Sequence, residues 1–340
     1  MAAVEPDPPP PQPAPEVVAA LDVGSNTIHL LVATTAPGGL VARRHAVVLA
    51  RLGRRVAALG QLGPEAVGTT AATVAELVAL ARGAGAQRIV LAATEAIRRA
   101  SDREQLVRAV QQRCGLALRI LSGEEEAQLS FLGATASGVS DDTEVVVFDL
   151  GGASTEVALG RGPTLRCAVS LRIGSDALVQ RHAFGDPPSS ADRAAAAVTI
   201  GAALADAPPG SPRLGIATGG TAANLPWLLQ GTRPARAEGP LSLGTPGTDA
   251  PVELSLQDLV RAQAVTDAHP SAEVARARRL HPERARLLAG GTQLLVALAR
   301  AYQLGGLTVT ERGLRDGLLL SGSSSPPGQP DSGIGGDPVP

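Results

Sequence analysis

Two short turns with the same residue pattern are the clearest candidates for chemistry in this sequence. Each follows an apolar strand and places an aspartate, an apolar residue and a glycine before small polar residues, in LDVGSNTIHLLV at 21–32 and FDLGGASTEVAL at 148–159. Glycine lets such a turn fold back and expose successive N–H groups to an anion. Asp22 and Asp149 end the two strands, where a carboxylate can hold Mg²⁺. The pair predicts two turns that face each other and clamp a phosphate.

Further glycines and hydroxyls extend this predicted phosphate site. A third glycine-rich turn, IATGGTAANL at 216–225, follows a strand and precedes a helix, where free N–H groups favour anions. Taken alone, this segment is explained as well by an ordinary strand-to-helix loop. The candidate phosphate-binding residues in the three turns are Asp22, Gly24, Ser25, Asn26, Gly151, Gly152, Ser154, Gly219, Gly220 and Thr221.

An acidic segment, SGEEEA at 122–127, is the candidate source of a general base. Ser122 and Glu125 have the spacing of a capping box, so Glu125 can be explained as a helix cap. The functional interpretation places Glu125 in a cleft, where it orients or deprotonates water. A helix N-terminus makes a carboxylate a weaker base. Phosphoryl transfer tolerates this, because it depends more on positioning and charge stabilisation than on proton removal.

Arginines are the cations available to hold further phosphates, because the sequence contains no lysine. Arginine binds phosphate through a planar, bidentate fork. Arg98 and Arg99 follow a strand, and four other arginines open predicted helices, although a solvated surface position is the simpler explanation for any one of them. Those four are Arg284, Arg286, Arg312 and Arg315.

Alternating strand and helix patterns predict an α/β fold in two domains, I at 17–138 and II at 139–321. The two similar turns each open one half of the chain, which indicates a duplicated domain. The alternative is two unrelated hairpins with similar turns, since glycine–aspartate turns are common. Strands are predicted at 17–23, 28–35, 40–49, 87–93, 116–121, 144–149, 154–159, 164–170, 213–218 and 307–310. Helices are predicted at 64–82, 102–113 (capped by Ser101 and Glu104), 123–136, 189–205, 256–268, 282–303 and after Arg312. Proline-, glycine- and serine-rich tails at 1–16 and 322–340 are predicted to be disordered, and 231–250 to be an exposed loop.

Composition excludes several function classes. P-loop and Schiff-base enzymes need a lysine, which is missing here. Aromatic residues make up 1% of the chain, which argues against a protein that stacks the bases of single-stranded nucleic acid. Two cysteines and five scattered histidines form no disulfide framework or zinc cluster. No apolar run is long enough for a membrane span, so we expect a cytoplasmic protein without nucleic-acid or membrane partners.

Together these segments resemble the Ppx/GppA family of exopolyphosphatases and guanosine pentaphosphatases. The matching segments are LDVGSNTIHLLVA, AATEAIRRASD, ILSGEEEAQLSFLGA, VVVFDLGGASTEVALG, SLRIGSDAL, IATGGTAANL, PERARLLAGGTQLL and TERGLRDGLLL. The resemblance implies an actin-like (ribonuclease H-like), duplicated two-domain ATPase fold with catalysis in the interdomain cleft. It implies Glu125 as the catalytic glutamate, Arg98 as a phosphate contact, and Asp149 and Glu156 as residues of the metal site.

The implied function is that of an exopolyphosphatase in the short, two-domain form of the family, with Mg²⁺ (or Mn²⁺) and as a homodimer. Its partner is then inorganic polyphosphate or guanosine pentaphosphate. Two positions depart from the family pattern. Ala153 replaces a third glycine, and Glu95 places an extra carboxylate beside the arginines. The alternatives are a guanosine pentaphosphate 5′-phosphohydrolase, an actin-like kinase, and a non-catalytic sensor of phosphate or nucleotide.

Overall fold

The computed structural model describes residues 14–136, 138–231 and 250–322, and these residues form two β-sheets covered by helices. The predicted disordered tails and the predicted loop at 231–250 lie almost entirely outside the described residues. The first half contains β1 (Val17–Val23), β2 (Thr27–Ala36), β3 (Gly39–Leu49), α1 (Leu52–Leu59), α2 (Pro64–Gly83), β4 (Arg88–Ala93), α3 (Glu95–Arg99), α4 (Arg103–Cys114), β5 (Leu118–Ile120) and α5 (Gly123–Thr135). The second half contains β6 (Glu144–Leu150), β7 (Thr155–Arg161), β8 (Thr164–Leu171), α6 (Ser175–Arg181), α7 (Ser190–Leu204), β9 (Leu214–Thr218), α8 (Gly219–Ala222), α9 (Leu225–Gln230), β10 (Val252–Ser255), α10 (Leu256–Ala268), α11 (Ser271–Arg278), α12 (Pro282–Ala301), β11 (Gly306–Val309) and α13 (Leu314–Ser321).

The two sheets share the arrangement of five strands, and sheet B has a sixth strand, β10, antiparallel to β11 at its edge. Sheet A has the order β3-β2-β1-β4-β5, and sheet B has the order β8-β7-β6-β9-β11-β10. In each, the first three strands form an antiparallel meander, and the next two strands lie parallel to the first. The repeated order confirms the predicted duplicated α/β fold, and it agrees with the actin-like (ribonuclease H-like) class that the resemblance implies.

The strands of the two sheets divide near the predicted boundary at 138, but two helices do not follow this division. Helix α5 follows the strands of sheet A in the chain, yet its Phe131 and Ala134 are buried against strands of sheet B. Helix α13 ends the described chain, yet its Leu314 and Leu318 are buried against strands of sheet A. Each half therefore contributes a helix to the core of the other half.

Helices α5 and α13 also contact each other through glycines. An added Cβ on Gly133 would overlap the backbone carbonyl of Gly313 and lie 2.8 Å from the backbone nitrogen of Gly317. An added Cβ on Gly317 would overlap the carbonyl of Leu129. The two helices therefore approach so closely that no side chain fits between them at these positions.

Most predicted elements are confirmed to within a few residues, and the differences have local causes. The predicted capping box between Ser101 and Glu104 is wrong, because helix α4 starts one residue later with Asp102 at the N-cap position. The Asp102 carboxylate instead accepts hydrogen bonds from the N–H groups of Leu62 (2.8 Å) and Gly63 (2.7 Å). The short helices α1, α3 and α6 have too few turns for a periodic pattern, so the sequence does not predict them. None of the described helices has the length and apolarity that a membrane span needs.

Candidate active site

A cavity of about 340 Å³ opens between the two sheets. Both aspartate–glycine turns, the third glycine-rich turn, and parts of α5, α12 and α13 surround it. Most of the residues that the sequence singles out line this cavity, whereas Glu125 and Arg98 do not. Those that line it are Asp22, Gly24, Ser25, Asn26, Asp149, Gly151, Gly152, Ser154, Glu156, Gly219, Gly220 and Thr221. The chain thus brings three distant glycine-rich segments to one place.

The two aspartate–glycine turns have the same hydrogen-bonded form. The N–H of Gly24 donates to the carbonyl of Thr27 at 3.0 Å, and the N–H of Gly151 donates to the carbonyl of Ser154 at 3.1 Å. An added Cβ on Gly152 would lie 3.6 Å from the Cβ of Ser25, so the turns face each other directly. Such paired turns can surround an anion from both sides.

Short helices hold the turns in place. The carbonyl of Ser25 accepts the N–H of Gly53 in α1 at 2.6 Å. The carbonyl of Gly152 accepts the N–H of Asp176 in α6 at 2.9 Å. Two short helices that the sequence does not predict therefore position the two aspartate–glycine turns.

The third turn needs glycine for two different reasons. Gly219 has φ +91°, in the left-handed region, and an added Cβ there would lie 2.9 Å from Oδ1 of Asp149. An added Cβ on Gly220 would overlap the guanidinium group of Arg284. The two glycines therefore let this turn contact the end of β6 while the Arg284 side chain crosses over it.

Four carboxyl groups line the cavity: those of Glu126 and Glu156, which are buried, and those of Asp22 and Asp149, which are partly buried. Burial raises the pKa of Asp22 to about 7, and the pKa of Glu156 to about 8 with a further contribution from Asp149. Burial likewise raises the pKa values of Glu126 and Asp149, and the nearby Glu156 adds to the rise at Glu126. A cation bound among these four groups would therefore stabilise their charged forms.

Hydrogen bonds orient three of these carboxyl groups and leave the fourth open. Asp149 accepts the hydroxyl of Ser130 at 2.5 Å, and its cross-strand neighbour Glu156 accepts the hydroxyl of Ser170 at 2.7 Å. Glu126 accepts a guanidinium N–H of an arginine at 3.2 Å. Oδ1 of Asp22 is buried without a hydrogen-bond partner. A ligand bound in the cavity would supply this atom with the partner that it lacks.

The expectation that Glu125 lies in the cleft is wrong. Glu125 forms the predicted capping box with Ser122, pairs with Arg119 at 3.0 Å, and has 45% of its side chain exposed. The backbone hydrogen bond at Ser122 lowers its pKa. Its neighbour Glu126 is buried and lines the cavity. Helical periodicity is the signal that could have found it, because Glu126 shares the inner face of α5 with Ser130.

The predicted phosphate contact by Arg98 is not made at the cavity wall. Arg98 pairs with Glu95 at 2.5 Å and with Glu126 at 3.2 Å, and it is not among the residues that line the cavity. The extra carboxylate of Glu95 is thus bound to an arginine and does not face the cavity. Arg98 acts on the site through Glu126.

Two of the other arginines singled out in the sequence line the cavity instead. Arg284 and Arg315, which open helices α12 and α13, both line it. The Arg315 guanidinium opposes the rise in the pKa values of Asp22 and Asp149. Arg286, by contrast, donates to the carbonyl of Gly185 at 2.7 Å and supports a loop.

Ala153 is accommodated without backbone strain. The described non-glycine residues with positive φ are Arg51, Ala183, Arg279 and Gln303. Ala153 is not one of them, so the position does not need the freedom of glycine. Neither Ala153 nor Glu95 therefore disrupts the cavity.

The donor set fits a divalent cation that keeps much of its water. Within the described residues, no three His, Cys, Asp or Glu side chains form a ready metal cage. Mg²⁺ commonly binds through one or two carboxylates, with water and substrate phosphates completing the coordination. The open Oδ1 of Asp22 and the acidic surroundings are suited to such an ion.

Comparisons with known proteins agree with this geometry. The sequence matches the Ppx/GppA phosphatase family over residues 31–325. It is 31% identical over 321 residues to exopolyphosphatase 2 of Mycobacterium tuberculosis, covering 89% of this chain and 98% of that protein. It is 26% identical to exopolyphosphatase 1 of Mycobacterium leprae, covering 88% of this chain and 87% of that protein. The structure of the Aquifex aeolicus PPX-GPPA enzyme superposes with a TM-score of 0.73 at 26% identity, covering 90% of this chain and 99% of that chain. This chain therefore belongs to the Ppx/GppA phosphatase family, and it is a phosphoanhydride hydrolase.

Proposed function

We propose that this protein is an exopolyphosphatase, which hydrolyses the terminal phosphate of inorganic polyphosphate with the help of Mg²⁺ (or Mn²⁺). The observation that carries the proposal is the cavity itself, where two facing glycine-containing turns lie beside four carboxyl groups, two of them buried. The relatives that bear the name exopolyphosphatase support the same substrate. A cytoplasmic location and homodimerisation belong to this proposal as predictions.

The character of the cavity wall favours polyphosphate over guanosine pentaphosphate. Among the described residues that line the cavity, none is Phe, Tyr or Trp. A guanine base is commonly bound by stacking on an aromatic ring, whereas a phosphate chain needs only N–H groups and cations. Hydrolysis of guanosine pentaphosphate is the second candidate, because the resemblance in the sequence implies both activities for the family.

A direct competition assay separates these two substrates. The protein is supplied with tripolyphosphate and guanosine pentaphosphate at equal concentrations, and the loss of each is followed by ion-exchange chromatography. We expect tripolyphosphate to be consumed first. Faster consumption of the guanosine compound would assign the chain to the second candidate. Binding of both compounds without turnover would favour the sensor.

In the proposed reaction, a water molecule attacks the terminal phosphoryl group in line with the leaving phosphate. Glu126 accepts the hydrogen bond that orients this water, because its raised pKa makes it a stronger base than Glu125. N–H groups of the two turns and the arginines Arg284 and Arg315 stabilise the negative charge of the transition state. The reaction transfers the phosphoryl group to water and releases a chain shortened by one phosphate.

The metal site in this proposal is formed by Asp149 and Glu156, with Asp22 beside them. The unpartnered Oδ1 of Asp22 and the raised pKa values of all three residues support a cation at this position. When bound, the ion neutralises charge on the phosphoryl oxygens. The carboxylates of Asp149 and Glu156, at the strand ends next to the second turn, would hold that ion.

A further inference from the structure

Four charged side chains form a cluster where helices α1, α6 and α12 meet. The Nε and Nη2 atoms of Arg54 lie 3.2 Å and 3.1 Å from Oδ1 of Asp176. Nη2 of Arg54 is also 3.0 Å from the carboxylate of Glu283, which lies 3.2 Å from Arg51. The two arginines belong to the first half of the chain and the two carboxylates to the second half. These ion pairs, which we call the interhelix cluster, therefore join the two halves.

The first aspartate–glycine turn packs directly against the backbone beside Arg54. The N–H of Gly53 donates to the carbonyl of Ser25 at 2.6 Å, and the N–H of Arg51 donates to the carbonyl of Asn26 at 3.0 Å. An added Cβ on Gly53 would lie 2.9 Å from the Cβ of Ser25. Since no side chain separates the helix from the turn, a shift of α1 must also shift the first turn.

The second aspartate–glycine turn is attached to α6 in the same way. The N–H groups of Asp176 and Ala177 both donate to the carbonyl of Gly152, each at 2.9 Å. An added Cβ on Gly174, at the N-cap of α6, would lie 2.5 Å from the carbonyl carbon of Gly152. An added Cβ on Gly152 would lie 3.6 Å from the Cβ of Asp176 and 3.6 Å from the Cβ of Ser25. The ion pair therefore connects the two helices that hold the facing turns.

The buried position of Asp176 makes this connection depend on Arg54. Asp176 is 3% exposed, so water cannot solvate its charge. Aspartate is rarely buried to this extent without a partner, and the removal of one member of such a pair leaves an uncompensated charge. Arg54 reaches Asp176 from the other half of the chain. The separation of the halves at this point is thus linked to the pairing of one buried carboxylate.

We propose that Arg54 and Asp176 are positioning residues, which set the separation of the two aspartate–glycine turns and thereby the rate of phosphoryl transfer. The proposal rests on the proposed function, since it concerns polyphosphate bound between those turns. Neither side chain is among the described residues that line the cavity, so both act through the turns. The N–H groups of the turns stabilise charge in the transition state, and a displacement of about 1 Å can lower the rate about 100-fold. Loss of the pair therefore lowers kcat more than it raises KM.

The kinetic test measures kcat and KM for tripolyphosphate with Mg²⁺, below the melting temperature of every variant. The variants are Arg54→Gln, Asp176→Asn, the two combined, and Arg54→Lys, which keeps the positive charge. The matched control is Arg161→Gln, which removes an exposed ion pair to Asp142 at 2.8 Å within the second half of the chain.

We expect each single neutral variant to lose at least about tenfold in kcat with a smaller change in KM. The double variant should lose no more than either single variant, because the two residues act as one unit. Arg54→Lys should recover most of kcat, and Arg161→Gln should match wild type. Wild-type kcat in Arg54→Gln, or a double variant whose loss equals the product of the single losses, would overturn the proposal. An equal loss in Arg54→Lys and Arg54→Gln would also contradict it.

A distance measurement keeps this test separate from the proposed function. Nitroxide labels are attached to the exposed Cys167 in β8 and to Leu59→Cys, an exposed position in α1, with the buried Cys114 replaced by alanine. Double electron–electron resonance without substrate should give a broader and displaced distribution in Arg54→Gln, whereas Arg54→Lys should match the parent protein. If tripolyphosphate is not hydrolysed but the distribution changes, the proposed function fails and the positioning of the turns by the pair stands. Identical distributions in all three proteins would overturn the positioning role whether or not phosphate is released.

Discussion

The crossing of helices α5 and α13 can be tested by adding a single methyl group at Gly133. The new Cβ would overlap the carbonyl of Gly313 and lie 2.8 Å from the nitrogen of Gly317, whereas ordinary contacts of a Cβ begin near 3.4 Å. The neighbouring atoms belong to the backbone, so they cannot move aside as a flexible side chain would. Helix α13 must therefore shift by more than half an ångström, and Gly133→Ala strains the core that joins the two sheets.

The expected loss of stability follows from two opposing effects. Overpacking of a tight core costs about 1–3 kcal/mol, and backbone contacts place this site at the upper end. Alanine is favoured over glycine in a helix by about 1 kcal/mol, which offsets part of the strain. We therefore expect Gly133→Ala to lower the free energy of unfolding by about 2 kcal/mol.

The matched control is Gly68→Ala in helix α2. No atom lies within 4 Å of an added Cβ at Gly68, so only the helix preference acts. We expect this variant to gain about 0.5–1 kcal/mol. Urea denaturation followed by circular dichroism should place the midpoint of Gly133→Ala below wild type and that of Gly68→Ala above it. Equal stability of the two variants would refute the description of the α5–α13 contact.

Two further predictions concern individual carboxyl groups. Asp102→Ala should destabilise the protein by about 1–3 kcal/mol, because it removes the acceptor for the N–H groups at 62–63, whereas Ser101→Ala should be nearly neutral. Thermal unfolding of both variants checks this, and an equal loss in both would contradict the corrected cap. The metal-free protein should lose stability as pH rises from about 4 to 8, because the folded-state pKa values of Asp22 and Glu156 are raised to about 7 and about 8. Melting temperatures across this range, with and without Mg²⁺, should show stabilisation by the ion that grows with pH. A Mg²⁺ effect that does not depend on pH would contradict the assignment of the carboxyl groups.

The sequence predicts the strands and the glycine-rich turns because their signals are local. An apolar strand followed by Asp, Gly and small polar residues is visible within twelve residues, and the duplicated copy indicates that the two turns face each other. The sequence does not predict the two helices that hold these turns. The carbonyl oxygens of Ser25 and Gly152 each accept a hydrogen bond from a helix that is only seven or eight residues long. Such helices form through packing, which one segment of sequence does not contain.

The errors at the site arise from side-chain direction. Glu125 and Glu126 are adjacent in sequence, and the capping-box spacing drew attention to Glu125. Successive residues of a helix point about 100° apart, so only Glu126 faces inward. Arg98 follows strand β4, as the sequence predicts. Its pairing with Glu95 depends on the short helix α3, which the sequence does not predict. The exchange of α5 and α13 between the sheets is a long-range contact that no local pattern encodes.

Phosphate release from polyphosphate with Mg²⁺ by wild type, Glu126→Gln and Glu125→Gln tests the central claim most directly. Glutamine at 126 cannot act as a base and relieves charge repulsion among the buried carboxyl groups, so the variant should stay folded. We predict that Glu126→Gln loses at least about 100-fold in kcat. Glu125→Gln should keep most of the activity, because its side chain caps a helix outside the cavity. Full activity in Glu126→Gln together with loss in Glu125→Gln would contradict the account.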